Sequence, residues 1–197
     1  MAGHARYTAL LDACVLFPVV MADALMSLAS AGLFTAKWTI AIEDEWIRAL
    51  EDHRPDLKGR LGYRRDQMRL AIPDWEVSES AWRPLAASLT TEGALPDADD
   101  AHVLAAAIVG HADCIVTLNA RDFPKSVVHR HGIEVIDPDT FIPNQWDLDE
   151  AAALDALRGM RARWKKPTAA ALNFAKAFER GGLVPTAGRL AQAADRV

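Results

Sequence analysis

Carboxylates recur along this chain just beyond short apolar runs. The densest grouping spans residues 97–123, DADDAHVLAAAIVGHADCIVTLNARDF. Asp97, Asp99 and Asp100 open the apolar helical run 103–109. Asn119 and Asp122 follow Cys114-Ile115-Val116-Thr117, which has the length and composition of a buried strand. Asp12 takes the same kind of place after Tyr7-Thr8-Ala9-Leu10-Leu11, and Glu45 lies among Ile42, Trp46, Ala49 and Leu50, which have helical spacing. In an open parallel sheet the carboxyl ends of the strands face the ligand crevice, so polar residues just past a strand stand where chemistry usually occurs. Carboxylate oxygens gathered there suit a hard divalent cation: magnesium is held by one or two carboxylates with substrate phosphate oxygens and keeps several waters.

Each acid also has a plain structural use. Asp97 is a good helix N-cap, and Asp99 and Asp100 in the first turn complement the helix dipole. Asp12 alone would be a turn former, Glu45 alone a solvated helix residue, and Asp122 before Phe123-Pro124 a loop acid. What argues for a site is that four separate segments place acids in one order with apolar strands between them. Thr117 is able to hydrogen-bond a ligating acid, and it is also good strand composition. His102, alone on its helix, reads as structural or solvent-facing. His129-Arg130-His131 has no Cys or acid nearby to complete a zinc site. No GxGxxG or GxxxxGK[ST] occurs among the eleven glycines, which argues against a dinucleotide-binding domain or an NTPase.

The elements that must hold these residues alternate. The pattern predicts a strand over 7–12, a helix from about 18 to 31, a short segment at 36–39, and helices over 40–53 and 55–70. A break at Pro73 and Trp75 precedes a helix capped by Ser78. A helix over 99–109, a strand over 113–117, a short helix near 124–130 and a strand over 133–136 complete the series. Such alternation indicates an α/β fold with a mostly parallel sheet and helices on both faces. Asp137-Pro138 ends the sheet, and after residues 143–145 the chain becomes Ala-rich. Ala153, Leu157, Met160 and Trp164 form an apolar helical stripe beside a basic one of Arg158, Arg161 and Lys165. One further helix runs from Pro167 to Gly181-Gly182 and another follows Pro185. The expected division is a domain over 1–144 and a helical extension over 145–197.

At 197 residues and 51% hydrophobic, the chain suffices for one substantial core or one domain with an appendage. Its two cysteines, Cys14 and Cys114, lie in apolar settings and imply no disulfide framework. Asp12 and Asp23 interrupt the apolar N-terminal stretch before it reaches the ~18 residues of a membrane span, so the expected location is the cytoplasm, with no membrane partner.

The order of these features resembles a known family. Asp after the first strand, Glu in an early helix, Asp-Asp opening a later helix, then Val-Thr-x-Asn-x-x-Asp-Phe resembles the PIN-domain nucleases, in particular the VapC-type toxins of bacterial toxin–antitoxin pairs, over residues 7–142. The resemblance implies a PIN-like three-layer fold, a central mostly parallel sheet flanked by helices. It also implies a metal-dependent endoribonuclease that cleaves cellular RNA and is inhibited by a cognate antitoxin protein; similar proteins often form homodimers. Asp12 then matches the family's first acid, Glu45 its second and Asp100 its third, with Asp99 as the register alternative. Where many members have Asp two residues beyond the strand-ending Thr, this chain has Asn119, and Asp122 supplies the charge instead. The implied metal ligands for Mg2+ or Mn2+ are thus Asp12, Asp100, Glu45 and Asp122, with Thr117 and Asn119 as neutral polar groups of the catalytic centre. The helices beyond the sheet resemble the C-terminal segment of a longer subset of VapC-like proteins. Two other functions suit the same residues: a PIN-like RNA-binding or protein-interaction module with weak or no catalysis, kept open by Asn119, and a structure-specific DNA nuclease.

A net charge of −5 is unusual for an enzyme acting on nucleic acid. Residues 145–197 hold nine Lys/Arg against six Asp/Glu, so the acidic surplus lies in residues 1–144, where part of it is the acid cluster itself. RNA contact then falls to local patches: Arg60, Arg64, Arg65 and Arg69 on one helix, and Arg158, Arg161 and Lys165 on the extension. A solvated helix face accounts for either patch equally well.

Overall fold

The computed structural model describes residues 7–164 and 170–197. Four short strands, β1 (Thr8–Leu11), β2 (Thr35–Lys37), β3 (Cys114–Val116) and β4 (Glu134–Ile136), form a parallel sheet in the order β2-β1-β3-β4. All three residues of β3 are buried, as is usual for parallel sheets covered on both faces. From β1 the chain first builds β2 on one side and later β3 on the other. Connections therefore diverge between β1 and β3, the point at which such sheets open a crevice at their carboxyl ends. The register pairs Leu11 with Val116 and Val116 with Ile136. Asp12, Thr117 and Asp137 thus leave the sheet at one level.

The helices are α1 (Ala13–Leu16), α2 (Val19–Ser30), α3 (Ile40–His53), α4 (Gly62–Ala71), α5 (Glu79–Thr91), α6 (Ala101–Val109), α7 (Lys125–Val128), α8 (Pro138–Leu148), α9 (Glu150–Ala162), α10 (Ala171–Arg180) and α11 (Val184–Gln192). The α/β fold with a parallel sheet flanked by helices and followed by a helical C-terminal segment is as the sequence pattern implied. Three elements differ from expectation, the first being the short α1, which was not anticipated. The helix expected over 55–70 is split into a 3-10 turn, Pro55–Leu57, and α4, because Gly59 takes φ 72, a left-handed conformation that ends a helix and that glycine adopts at little cost. Helix α8 was not anticipated and runs through position 144/145. It forms because the Asp137 side chain accepts from the Asp139 and Thr140 N–H groups and Pro138 fills the first helical position, where its missing donor is harmless.

Helix α6 is apolar apart from His102 and carries Ala105, Ala106 and Ala107, all fully buried, so it packs closely against both α5 and the sheet. Gly110 ends it under a tight constraint: a Cβ there would meet Ala106 O at 2.8 Å and Val77 Cγ2 at 2.9 Å. This packing fixes the start of α6, and with it Asp100, relative to β1.

The C-terminal helices join the same core. α9 packs on α2, α11 on α8, and α10 on α11. Phe34 beside β2 meets Phe141 of α8 edge to face, with ring centroids 4.8 Å apart, and both rings are buried. Burying one such side chain contributes about 2–3 kcal/mol. Among the described residues no helix is long and apolar enough to cross a membrane.

Candidate active site

The parallel register between β1 and β3 builds the centre of the site. With Leu11 opposite Val116, the next residues on the two strands, Asp12 and Thr117, are neighbours, and the Thr117 hydroxyl donates to Asp12 Oδ2 at 2.6 Å. Asp12 also caps α1, its Oδ1 accepting from Ala13 N–H at 2.6 Å. Both residues are buried, Asp12 at 5% and Thr117 at 0% exposure. Thr117 Oγ1 in turn accepts from the Asn119 N–H at 2.9 Å, which shapes the turn that carries Asn119 and Asp122. The Asn119 side chain is exposed, and Asp122 sits in the 3-10 turn Ala120–Asp122 with Arg121 Nε 3.8 Å from its carboxylate.

Asp100 completes this group from the start of α6. Its pKa is pushed up to about 6, first by burial and then by the negative charges of Asp12, Asp122 and Asp97. The structure therefore brings Asp12, Asp100 and Asp122 into one electrostatic neighbourhood. Asp99 is exposed, and Asp97 serves as the cap of the 3-10 turn that precedes α6, accepting from Asp99 N–H at 2.9 Å. Glu45 reaches the same helix start by another route, its Oε1 lying 2.7 Å from Nε2 of His102.

Glu43, two residues before Glu45, has a different role. It is 1% exposed, accepts from Trp38 Nε1 at 2.9 Å and is ion-paired with Arg69. Asp137, third in the row of strand-end positions, is a helix cap. Cys14 is a site neighbour that sequence reasoning treated only as a buried thiol. Its Sγ donates to Asp12 Oδ2 at 3.0 Å and accepts from the Leu118 N–H at 3.2 Å. Burial, then the Asp12 charge, pushes its pKa up to about 12, so it is a neutral donor to the acid. Its place two residues beyond Asp12 was the available signal.

The donor set fits a hard divalent cation. It consists of carboxylate oxygens, and burial together with their crowding holds Asp100 partly protonated at a pH where an ordinary Asp is fully ionised. Among the described residues no three His, Cys, Asp or Glu side chains close into a coordination cage by themselves. Magnesium asks for only one or two carboxylates, taking its remaining ligands from water and substrate phosphate.

The basic patches are placed unevenly. Arg64 donates to the backbone carbonyls of Leu16 and Phe17 and lies 4.7 Å over the Trp46 ring, so it braces the segment after Asp12. Arg69 is held by Glu43 and stacks on Trp75. Arg65 pairs with its neighbour Asp66, and Arg60 is exposed. On the extension, Arg158 bonds Asp155 and the Arg196 carbonyl, Arg161 is half-buried, and Lys165 lies outside the described residues. A cavity of about 610 Å³ opens elsewhere, between α2, α4 and α9, lined by Asp23, Met26, Arg64, Met68 and Arg163 among others; Asp12, Glu45, Asp100 and Asp122 are not among its lining residues.

Known proteins match the two parts of the chain separately. A PIN domain is matched over residues 8–121 and a VapC50 C-terminal domain over residues 138–192. The Mycobacterium tuberculosis protein described as "Putative ribonuclease VapC50" is 41% identical over 61 residues, which cover 31% of this chain and 36% of that protein. The aligned stretch thus spans little more than a third of that relative's length. No solved structure matches at a significant level. The strand-end acids, the parallel sheet that positions them and a family match over more than half the chain agree, and the chain belongs to the PIN-domain family, in a VapC-like form with a VapC50-type C-terminal domain.

Proposed function

We propose that this chain is a Mg2+- or Mn2+-dependent endoribonuclease, the toxin of a toxin–antitoxin pair, acting in the cytoplasm and held inactive by a cognate antitoxin. The observation that carries this reading is the convergence of Asp12, Asp100 and Asp122 at the carboxyl ends of β1 and β3, with Asp100 raised by burial and then by the charges of the other two. Residues 1–144 would form the nuclease unit and 145–197 the extension. A homodimer is the expected assembly.

Asp12, Asp100, Glu45 and Asp122 would hold the ion. When bound, it supplies a water of lowered pKa and a clamp for the leaving oxygen of an in-line displacement. The chain's own residues prepare that step. Thr117 and Cys14 both donate to Asp12 Oδ2, fixing the carboxylate while leaving it lone pairs for further contacts. The Thr117 hydroxyl, by accepting from Asn119 N–H, also ties the turn bearing Asp122 to Asp12. Asn119 is exposed beside this turn as a neutral oxygen donor able to position a water. Arg60 and Arg65 would carry phosphate contact on α4 and the loop before it.

The test is cleavage of defined RNA and DNA oligonucleotides with Mg2+, Mn2+ or EDTA, with sequencing of the cut ends. Metal-dependent cleavage of RNA, absent in Asp12→Asn, is the expected outcome. Cleavage of DNA alone would make the chain a DNA nuclease. RNA binding without cleavage would make it an interaction module.

A further inference from the structure

Glu45 is the least constrained of the proposed ligands: a three-torsion side chain on a helix, 37% exposed, contributed by α3 rather than by a strand end. His102 removes much of that freedom. Its Nε2 lies 2.7 Å from Glu45 Oε1, and since a carboxylate only accepts, Nε2 carries the hydrogen. The other ring nitrogen, Nδ1, is buried without a partner, so the ring's hydrogen-bonding capacity is directed at Glu45. Trp82 of α5 lies against the imidazole, ring centroids 5.8 Å apart, and the His102 side chain is only 15% exposed. The imidazole is thus held from α5, directed at an acid of α3, and placed two residues beyond Asp100.

We infer that His102, two residues beyond Asp100, is a positioning residue for the acid site: it holds the Glu45 carboxylate by one oxygen and leaves Oε2 to engage the ion or its water. This rests on the metal-dependent reading above. A partner that orients a ligating group typically matters 10–100-fold in metal affinity, although it never touches the metal.

The experiment is a thermal-shift titration of the full chain with Mn2+ and with Mg2+, which needs no turnover. His102→Leu keeps bulk but loses the donor, and its midpoint for metal-induced stabilisation is expected to move roughly 10–100-fold upward. His102→Gln, whose amide N–H has a similar reach, is expected to restore most of it, while the shorter His102→Asn does not. In a Glu45→Ala background, His102→Leu should move the midpoint no further. An unmoved midpoint in His102→Leu, or its full effect persisting without Glu45, overturns the inference and leaves His102 as a packing residue. Should His102→Leu fail to fold, the contrast of Gln with Asn decides in its place, and equal midpoints for those two overturn the inference. A wild type that shows no metal-dependent shift overturns the metal reading and this inference with it. A failure confined to His102 leaves the wild-type response intact.

Discussion

The acid site and the C-terminal extension use carboxylates in opposite ways. Where the extension meets the rest of the chain and itself, acids find bases: Asp23 with Arg163 at 2.8 Å, Asp147 with Arg189 at 2.6 Å, Glu150 with Arg196 at 2.8 Å and Asp155 with Arg158 at 2.6 Å. At the strand ends the charges of Asp12 and Asp122 instead add to burial in raising the pKa of Asp100. Within one turn of α3, too, the acids differ: Glu43 is buried against Arg69 and Trp38, while Glu45 meets His102, two residues beyond Asp100. Opposite charges in contact settle where helices lie. Like charges held together are tolerated only where something from outside completes them, which is why perturbed acids mark functional sites.

The largest effect that would sharpen this contrast is on chemistry. Asp12→Asn keeps the shape and one oxygen, enough for the Ala13 N–H bond, while its amide nitrogen replaces the oxygen that accepts from Thr117 and Cys14 and the charge is lost; the protein should fold, at some cost in stability, and lose RNA cleavage. If the charge supplies several kcal/mol of transition-state stabilisation, single-turnover cleavage falls about a thousandfold. Near-wild-type cleavage in this variant would break the assignment of the acids.

Next comes the paired acid of α3. Arg69→Ala strands Glu43, 1% exposed, without its cation, and breaking a buried pair this way costs about 3 kcal/mol. Denaturant unfolding should show that loss, and Glu43→Gln added to it should recover part. Cleavage per folded molecule should persist well below the melting temperature. A large loss of activity with no loss of stability would mean that Arg69 serves RNA rather than the fold.

Much of this architecture was legible because it is local. β3 and α6 are continuous apolar runs of strand and helix length, and strand-end polar residues announce themselves by position. What escaped depends on partners distant in sequence or on backbone context. Asp137-Pro138 reads as the end of the sheet and residues 143–145 as a change of composition, yet α8 forms across both because Asp137 caps it and Pro138 occupies its first position. Spacing could not say that Glu43 and not Glu45 would meet Arg69, 26 residues away. Nor could it say that His102, apparently alone, would find a carboxylate on α3, since that pairing is set by how α3 and α6 pack. The bond between Thr117 and Asp12 follows from strand register, which exists only once the sheet is assembled.

A smaller effect concerns pH. Asp100 titrates at about 6 in the metal-free folded chain against an ordinary 3.8, so the folded state binds the proton more tightly than the unfolded state does. The associated stability is full below about pH 4, declines as pH rises through 6, and is flat above. Compared with Asp100→Asn under EDTA, the wild type should therefore lose about 1–2 kcal/mol between those limits, allowing for solvent screening. Saturating Mg2+ should abolish the difference in slope by favouring the ionised carboxylate. Parallel stability curves for the two proteins in EDTA would mean that Asp100 is an ordinary helix-terminal acid.

The smallest effect separates the two basic patches. Single-stranded nucleic acid releases counterions as phosphates are neutralised, and each lost contact flattens the plot of log K against log salt by about 0.7. Arg60 is exposed, so Arg60→Ala should flatten the slope for an inactive Asp12→Asn chain by that amount. Arg158 already bonds Asp155 and the Arg196 carbonyl, so Arg158→Ala should leave the slope within error and cost at most about 1 kcal/mol of stability, as exposed pairs do. Filter binding from 50 to 300 mM salt, a range chosen so that about 0.7 in slope is resolvable, compares the two directly. If Arg158→Ala flattens the slope as much as Arg60→Ala, the extension is part of the RNA surface. Its ion pairs would then open to phosphate on binding, and the distinction between a site of unbalanced charge and a self-paired extension would fail at that point.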